Sequence, residues 1–122
     1  MNKVVNILLV EDEVITAMLM QSQLISLGYT VAEHVTTGEN AVASAKENPP
    51  DIILMDIALA GEIDGIDAAA AIKSVSDIPV IFITGYEDQQ YKERAEKIKP
   101  LEYLIKPLNM NKLKSIIDDF FK

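Results

Sequence analysis

Five polar residues, Glu11, Asp12, Asp56, Thr84 and Lys106, stand where short apolar runs end. Glu11 and Asp12 follow "VVNILLV", Asp56 follows "DIILM", Thr84 follows "IPVIFI" and Lys106 follows "LEYLI". Carboxylates gathered in one place repel one another, and the penalty grows as water is excluded. A positive charge has to offset it. The chain has no cysteine, and oxygen ligands alone favour a hard cation such as Mg2+, which takes one or two carboxylates and leaves room for phosphate oxygens. Lys106 would add a fixed positive charge and Thr84 a hydroxyl donor. That combination suits a phosphoryl group better than a carbonyl substrate, because catalysis of phosphoryl transfer is largely positioning and charge neutralisation. A carboxylate can itself be the nucleophile, giving an aspartyl-phosphate. Asp56, the lone acid directly after the most apolar run, is the candidate.

Taken singly, each residue also has an ordinary use. The triplet Glu11-Asp12-Glu13 would sit well at the first turn of a helix, and Asp56 could cap one. What sets them apart is the elements that carry them. Apolar runs rich in Val and Ile fall at 4–10, 30–34, 51–55, 79–83 and 101–105, each near the length of a strand. Between them, Val14, Ala17, Met18, Gln21, Leu24 and Ile25 recur at helical spacing, with Gly28 as the stop. Thr36-Thr37-Gly38-Glu39 opens a second helix that Pro49-Pro50 ends. A third runs from Gly65 to about Ser74 and a fourth from Glu87 to about Lys97. The fourth has only Tyr91, Ala95 and Ile98 as apolar anchors, so looser packing is expected of it. The last carries Met110, Leu113, Ile116, Ile117 and Phe120 on one face.

Strand and helix alternate five times without a shift in composition, which predicts one α/β domain over residues 1–122. Parallel neighbours need crossover connections, so the sheet should be parallel and covered by helices on both faces. Ligands in such sheets sit beyond the C-terminal strand ends. The loops after strands one, three, four and five would then open at one edge and bring the five residues together.

Composition narrows the partners. A net charge of −8, from 19 acidic and 11 basic residues, disfavours direct binding to nucleic acid or to an anionic membrane. No apolar run is long enough to cross a bilayer. The N-terminus lacks an apolar signal segment with a cleavage site, and zero cysteines fit a reducing compartment, so the cytoplasm is expected.

The segments "ILLVEDE" at 7–13, "DIILMDIAL" at 51–59, "IPVIFITG" at 78–85 and "YLIKPL" at 103–108, at these spacings, resemble the receiver domain of two-component response regulators. The resemblance implies a flavodoxin-like (βα)5 sandwich with strand order 2-1-3-4-5. It implies that Asp56 accepts a phosphoryl group from a sensor histidine kinase or a histidine phosphotransfer protein. Glu11 and Asp12 match the acidic pair that holds Mg2+, for which Mn2+ could substitute, with Asp56 and the backbone carbonyl of Ala58 completing the protein ligands. Lys106 matches the lysine that contacts the phosphoryl oxygens, and Lys106-Pro107 would be a cis peptide. Thr84 and Tyr103 match the hydroxyl and aromatic residues that switch position after transfer. The switch would alter the face formed by helix four, strand five and helix five, which addresses a downstream protein, an output domain or a second copy in a phosphorylation-dependent homodimer. Such a domain is not an enzyme beyond its own phosphorylation and dephosphorylation.

The chain departs from the family's commonest pattern after the phosphoacceptor. Ala60 stands where proline is common, and Asp64-Gly65 comes one position late. Gly85 should leave access to the site open, and Ala58 with Tyr86 should make autodephosphorylation slow. His34, the only histidine, reads as a surface residue away from the pocket, and Glu62 and Asp64 as solvated. Met18 and Met20 read as one buried and one variable position. A haloacid dehalogenase-like phosphatase would want an acid two residues after its nucleophile, where this chain has Ala58. A flavodoxin-like phosphate loop would not tolerate the acidic triplet after strand one. A pseudo-receiver that docks without phosphorylation would not need the full residue set.

Overall fold

The computed structural model describes residues 4–85 and 88–122. Five strands alternate with five helices: β1 (Asn6–Val10), α1 (Val14–Ser26), β2 (Thr30–Val35), α2 (Gly38–Glu47), β3 (Ile52–Asp56), α3 (Gly65–Lys73), β4 (Val80–Thr84), α4 (Gln89–Ile98), β5 (Glu102–Ile105) and α5 (Met110–Phe120). All strand pairs are parallel, and the order is β2-β1-β3-β4-β5. This is the flavodoxin-like arrangement expected of the sequence.

The sheet separates two apolar layers. Leu8, Val10, Ile53, Met55 and Phe82 pack with α2, α3 and Ala95 of α4 on one face, while Ile7, Leu9, Leu54, Ile81 and Ile83 pack with α1 and α5 on the other. Alternate residues of each strand point to opposite faces, so a strand covered on both sides has to be apolar throughout. β3 and β4 are buried along their full length. Their last residues, Asp56 and Thr84, belong to the strands themselves rather than to the loops that follow.

Helix α1 corrects the sequence reading. Its core face is Ala17, Met20 and Leu24, whereas Val14, Met18 and Ile25 are at least half exposed, along with Ile15 and Leu19. The helix is apolar nearly all round, so periodicity offered two stripes and the packing selected one. Of the two methionines, Met20 is the buried one.

Helix α4 begins at Gln89 with Asp88 as its N-cap, later than the expected start at Glu87, which with Tyr86 lies outside the described residues. Ala95 is its one fully buried residue, and polar contacts to α3 supplement that thin apolar attachment. Arg94 donates to Asp64 at 2.8 and 3.3 Å and to Asp67 at 3.1 Å. Lys73 Nζ donates to the carbonyls of Ile98 and Lys99 at 2.6 and 2.9 Å, where α4 ends on a left-handed residue. Asp64 is therefore not a solvated loop residue. It closes a reciprocal capping box with Asp67 at the start of α3. Partial burial works against its carboxylate, and Arg94 with the backbone N–H groups of Asp67 and Ile66 more than offsets this, keeping it below the usual carboxylate range. Because Arg94 is 40% exposed, Arg94→Ala should cost only about 1 kcal/mol or less. A shift of the urea midpoint, with the slope unchanged, would measure it.

Candidate functional site

Strand register assembles the site. Val10 pairs with Met55, so the next residues, Glu11 and Asp56, emerge side by side. On the other side Asp56 pairs with Ile83, and Thr84 pairs with Ile105. Four strand ends thus come level, and the Lys106 N–H donates to the Thr84 carbonyl at 2.8 Å. The Lys106-Pro107 peptide is cis, as expected.

Oxygen atoms of Glu11, Asp12 and Asp56 all lie within 4.8 Å of one another. Glu11 is 1% exposed and Asp56 5%. Lys106 Nζ donates to Glu11 Oε2 at 2.8 Å and to Asp56 Oδ2 at 3.3 Å. At separations of this size and an effective dielectric of about 20, each pair of ionised carboxylates repels by roughly 3.5 kcal/mol or more. One ammonium does not neutralise three acids. Burial first, and then the charge of Glu11, push the Asp56 carboxyl up to about 7, against the pull of Lys106. Burial likewise opposes the Lys106 charge, yet Glu11 and Asp56 together hold its ammonium above the ordinary lysine range. A compact, all-oxygen, under-neutralised pocket fits a hard divalent cation. Glu11, Asp12 and Asp56 could hold it.

Thr84 is fully buried at the end of β4. A side-chain carbon added at Gly85 would meet nothing within 4 Å among the described residues. Tyr103 lies half-buried on β5, and its hydroxyl is buried without a hydrogen-bond partner among the described residues. Burial, with Asp88 and Tyr91 nearby, raises that phenol above its ordinary range. Beside it a groove of about 790 Å³ runs between α4 and β5, lined by Asp88, Lys92, Glu96, Tyr103 and Ile105 among others.

The structure corrects the reading of His34. The ring is half-buried, and Nε2 lies 2.8 Å from the main-chain carbonyl oxygen of Glu11. A carbonyl only accepts, so Nε2 carries the proton. Glu11 is also held by the Val35 carbonyl at its N–H, and its Oε1 accepts from the Glu13 N–H. Pairing of β2 with β1 puts His34 beside Leu9, and the strand order already expected from the sequence was the signal that could have found it. The Ala60 N–H, which donates to Asp12 Oδ2 at 3.2 Å, was missed altogether. No side-chain pattern reveals a main-chain donor.

Residues 7–118 match the family model for the response regulator receiver domain. The transcriptional regulatory protein PdtaR of Mycobacterium tuberculosis is 32% identical over 107 residues, covering 88% of this chain and 52% of that protein. ZraR of Escherichia coli, another transcriptional regulatory protein, is 33% identical over 115 residues, covering 93% of this chain and 26% of its own length. The chain therefore spans about half or less of these curated relatives. Among solved structures, the signal receiver domain of a modulated diguanylate cyclase from Desulfovibrio desulfuricans superposes with a TM-score of 0.90 at 38% identity, covering 96% of this chain and 93% of that one. The receiver domain of the sensor histidine kinase PA1611 from Pseudomonas aeruginosa, solved with a magnesium ion coordinated in its active-site cleft, gives 0.86 at 32% identity, covering 98% of each chain. Fold, family model and relatives agree: the chain belongs to the response regulator receiver domain family.

Proposed function

We propose that residues 1–122 act as one receiver domain in phosphorelay signalling, with Asp56 as the phosphoacceptor. The observation that carries this is the buried Asp56 carboxylate, clustered with Glu11 and Asp12 and sharing Lys106 with Glu11. An Asp56 oxygen attacks the phosphorus of a phosphohistidine on a sensor kinase or phosphotransfer protein. The P–O bond forms as the P–N bond breaks, and the imidazole leaves as a neutral ring after taking up a proton. A bound Mg2+, or Mn2+ in its place, would supply charge neutralisation between the acids and the phosphoryl oxygens. Lys106 gives a second, fixed cation at the same oxygens.

Once Asp56 is phosphorylated, the new group carries more charge and more acceptor oxygens than the carboxylate it replaces. It draws on Thr84, the last residue of β4, and on Lys106, the residue after β5, so both lie at the ends of the strands that precede and follow α4 in the chain. Tyr103, whose hydroxyl is buried without a partner among the described residues, has little polar anchorage to lose on moving. The α4-β5-α5 face then shifts between two arrangements. That face would address an output domain, a separate protein in the cytoplasm or a second copy of the chain. Transcriptional relatives imply that any DNA contact belongs to an output domain, since this acidic chain repels nucleic acid.

The test is intact mass after incubation with Mg2+ and acetyl phosphate. Wild type should gain one phosphoryl mass and Asp56→Asn none. Equal labelling of both, or no label on wild type, defeats the assignment. With apolar Ala58 unable to position a water, the label should persist well beyond the labelling time. Rapid loss in Mg2+ buffer would contradict that part.

A further inference from the structure

We propose that the first turn of α2 positions Asp12 for the cation by holding the loop after β3, with Glu39 as the positioning residue and the Ala60 N–H as the group that touches Asp12. The inference rests on the metal-site reading above and assigns residues that reading does not use.

The contacts form a chain from helix to ligand. Ala60 N–H donates to Asp12 Oδ2 at 3.2 Å and is Asp12's one hydrogen-bond partner among the described residues. Residues 60–62 are exposed, so their placement depends on what grips them. That grip comes from the start of α2. Thr37, the N-cap, forms an isolated parallel bridge with Ala60. Glu39 Oε1 accepts from the Ile63 N–H at 3.2 Å. Gly61 has φ +106, and a side-chain carbon there would lie 2.8 Å from Glu39 Oε2, so the carboxylate seats directly on the bare backbone. Gly38 approaches Ile63 in the same manner, with 2.8 Å between an added carbon and Ile63 Cγ1.

The consequence is pre-organisation. One oxygen of Asp12 is engaged by a backbone donor, which restrains the side chain and leaves the other oxygen for the cation. Outer contacts of this kind orient metal ligands, and their removal typically costs about 10- to 100-fold in metal affinity. Asp12 is the least buried of the three acids, so it has the most freedom to lose.

Mg2+ affinity, measured by titration calorimetry on the unphosphorylated chain, tests this in four proteins: wild type, Ala60→Pro, Glu39→Ala and Glu39→Gln. Ala60→Pro deletes the N–H, and Glu39→Ala deletes the acceptor for the loop. Each should weaken Mg2+ binding by about tenfold, and acetyl phosphate labelling should shift to higher Mg2+ concentration by a matching factor. Glu39→Gln keeps an Oε1 acceptor and should bind within about twofold of wild type, whereas a through-space charge effect would weaken Gln and Ala alike. Unchanged affinity in Glu39→Ala, even with a lowered melting temperature, would overturn the inference. So would a Gln variant as weak as Ala. No Mg2+ binding by wild type would instead overturn the metal-site reading, and this inference with it.

Discussion

In metal-free buffer at pH 8, Asp56→Asn should unfold at a higher temperature than wild type, by on the order of 5 °C for a chain of this size. Wild type keeps three acids within 4.8 Å of one another, two of them almost fully buried, against a single lysine among the described residues. An amide removes one charge from that cluster while keeping nearly the same shape. The same physics sets a pH dependence. Burial and Glu11 raise the Asp56 carboxyl from 3.8 to about 7. Between those values the folded chain holds a proton that the unfolded chain has released. Metal-free stability from this group is therefore present at about pH 4, declines as pH rises towards 7 and stays low above it. Adding Mg2+ at pH 8 should raise the wild-type melting temperature and leave Asp56→Asn less affected. At pH 5 the proton competes, and the Mg2+ effect should shrink. Differential scanning calorimetry over the two pH values, with and without Mg2+, reads all of this. A variant less stable than wild type at pH 8 would show that the Asp56 charge is already compensated.

Gly65→Ala should damage both stability and labelling. A side-chain carbon at Gly65 would lie 2.0 Å from the Asp56 carbonyl oxygen and 2.9 Å from both Asp56 C and Ile57 Cα. Those neighbours are backbone and cannot rotate away. Gly65 also donates its N–H to the Ile57 carbonyl at 2.8 Å, closing the loop onto the strand end. Relief requires moving either the start of α3 or the end of β3, at a cost of about 3 kcal/mol or more. Any shift of β3 displaces Asp56 from Lys106 and Glu11, and a misplacement of about 1 Å can lower a rate roughly 100-fold. Urea denaturation and the rate of acetyl phosphate labelling measure the two effects separately. Gly85→Ala is the control, because an added carbon there meets nothing within 4 Å among the described residues, and its stability should stay within about 0.5 kcal/mol of wild type. Equal behaviour of the two alanine variants would mean that the loop absorbs the extra carbon.

Gly65 also shows what the departure from the common loop pattern means. Asp64-Gly65 comes one position late, yet Asp64 caps α3 and Gly65 packs against the Asp56 carbonyl. The additional length is taken up at 60–63, where α2 and Asp12 hold the chain. Hydrophobic runs and turn residues could not have revealed this, because the contacts are main-chain donors and close backbone approaches.

Strand and helix order, the parallel sheet and the gathering of Glu11, Asp12, Asp56, Thr84 and Lys106 at one edge were legible in the sequence. Each follows from periodicity, which reports local conformation and which side of an element is apolar. Where two faces are both apolar, periodicity cannot choose. Helix α1 was therefore misread, and its packing on β1 and α5 decided for Ala17, Met20 and Leu24. His34 was misplaced for a related reason, since the sequence says only that it ends a strand. Register with β1 turns that position towards Glu11. By itself the sequence determined which residues meet at the strand ends, because strand ends are set by local pattern. Tertiary structure alone decided how they are held: Lys106 shared between Glu11 and Asp56, His34 on the Glu11 carbonyl, and the Ala60 N–H on Asp12. Those bonds join residues from 23 to 95 positions apart, and their geometry depends on register and loop path, which no local pattern encodes.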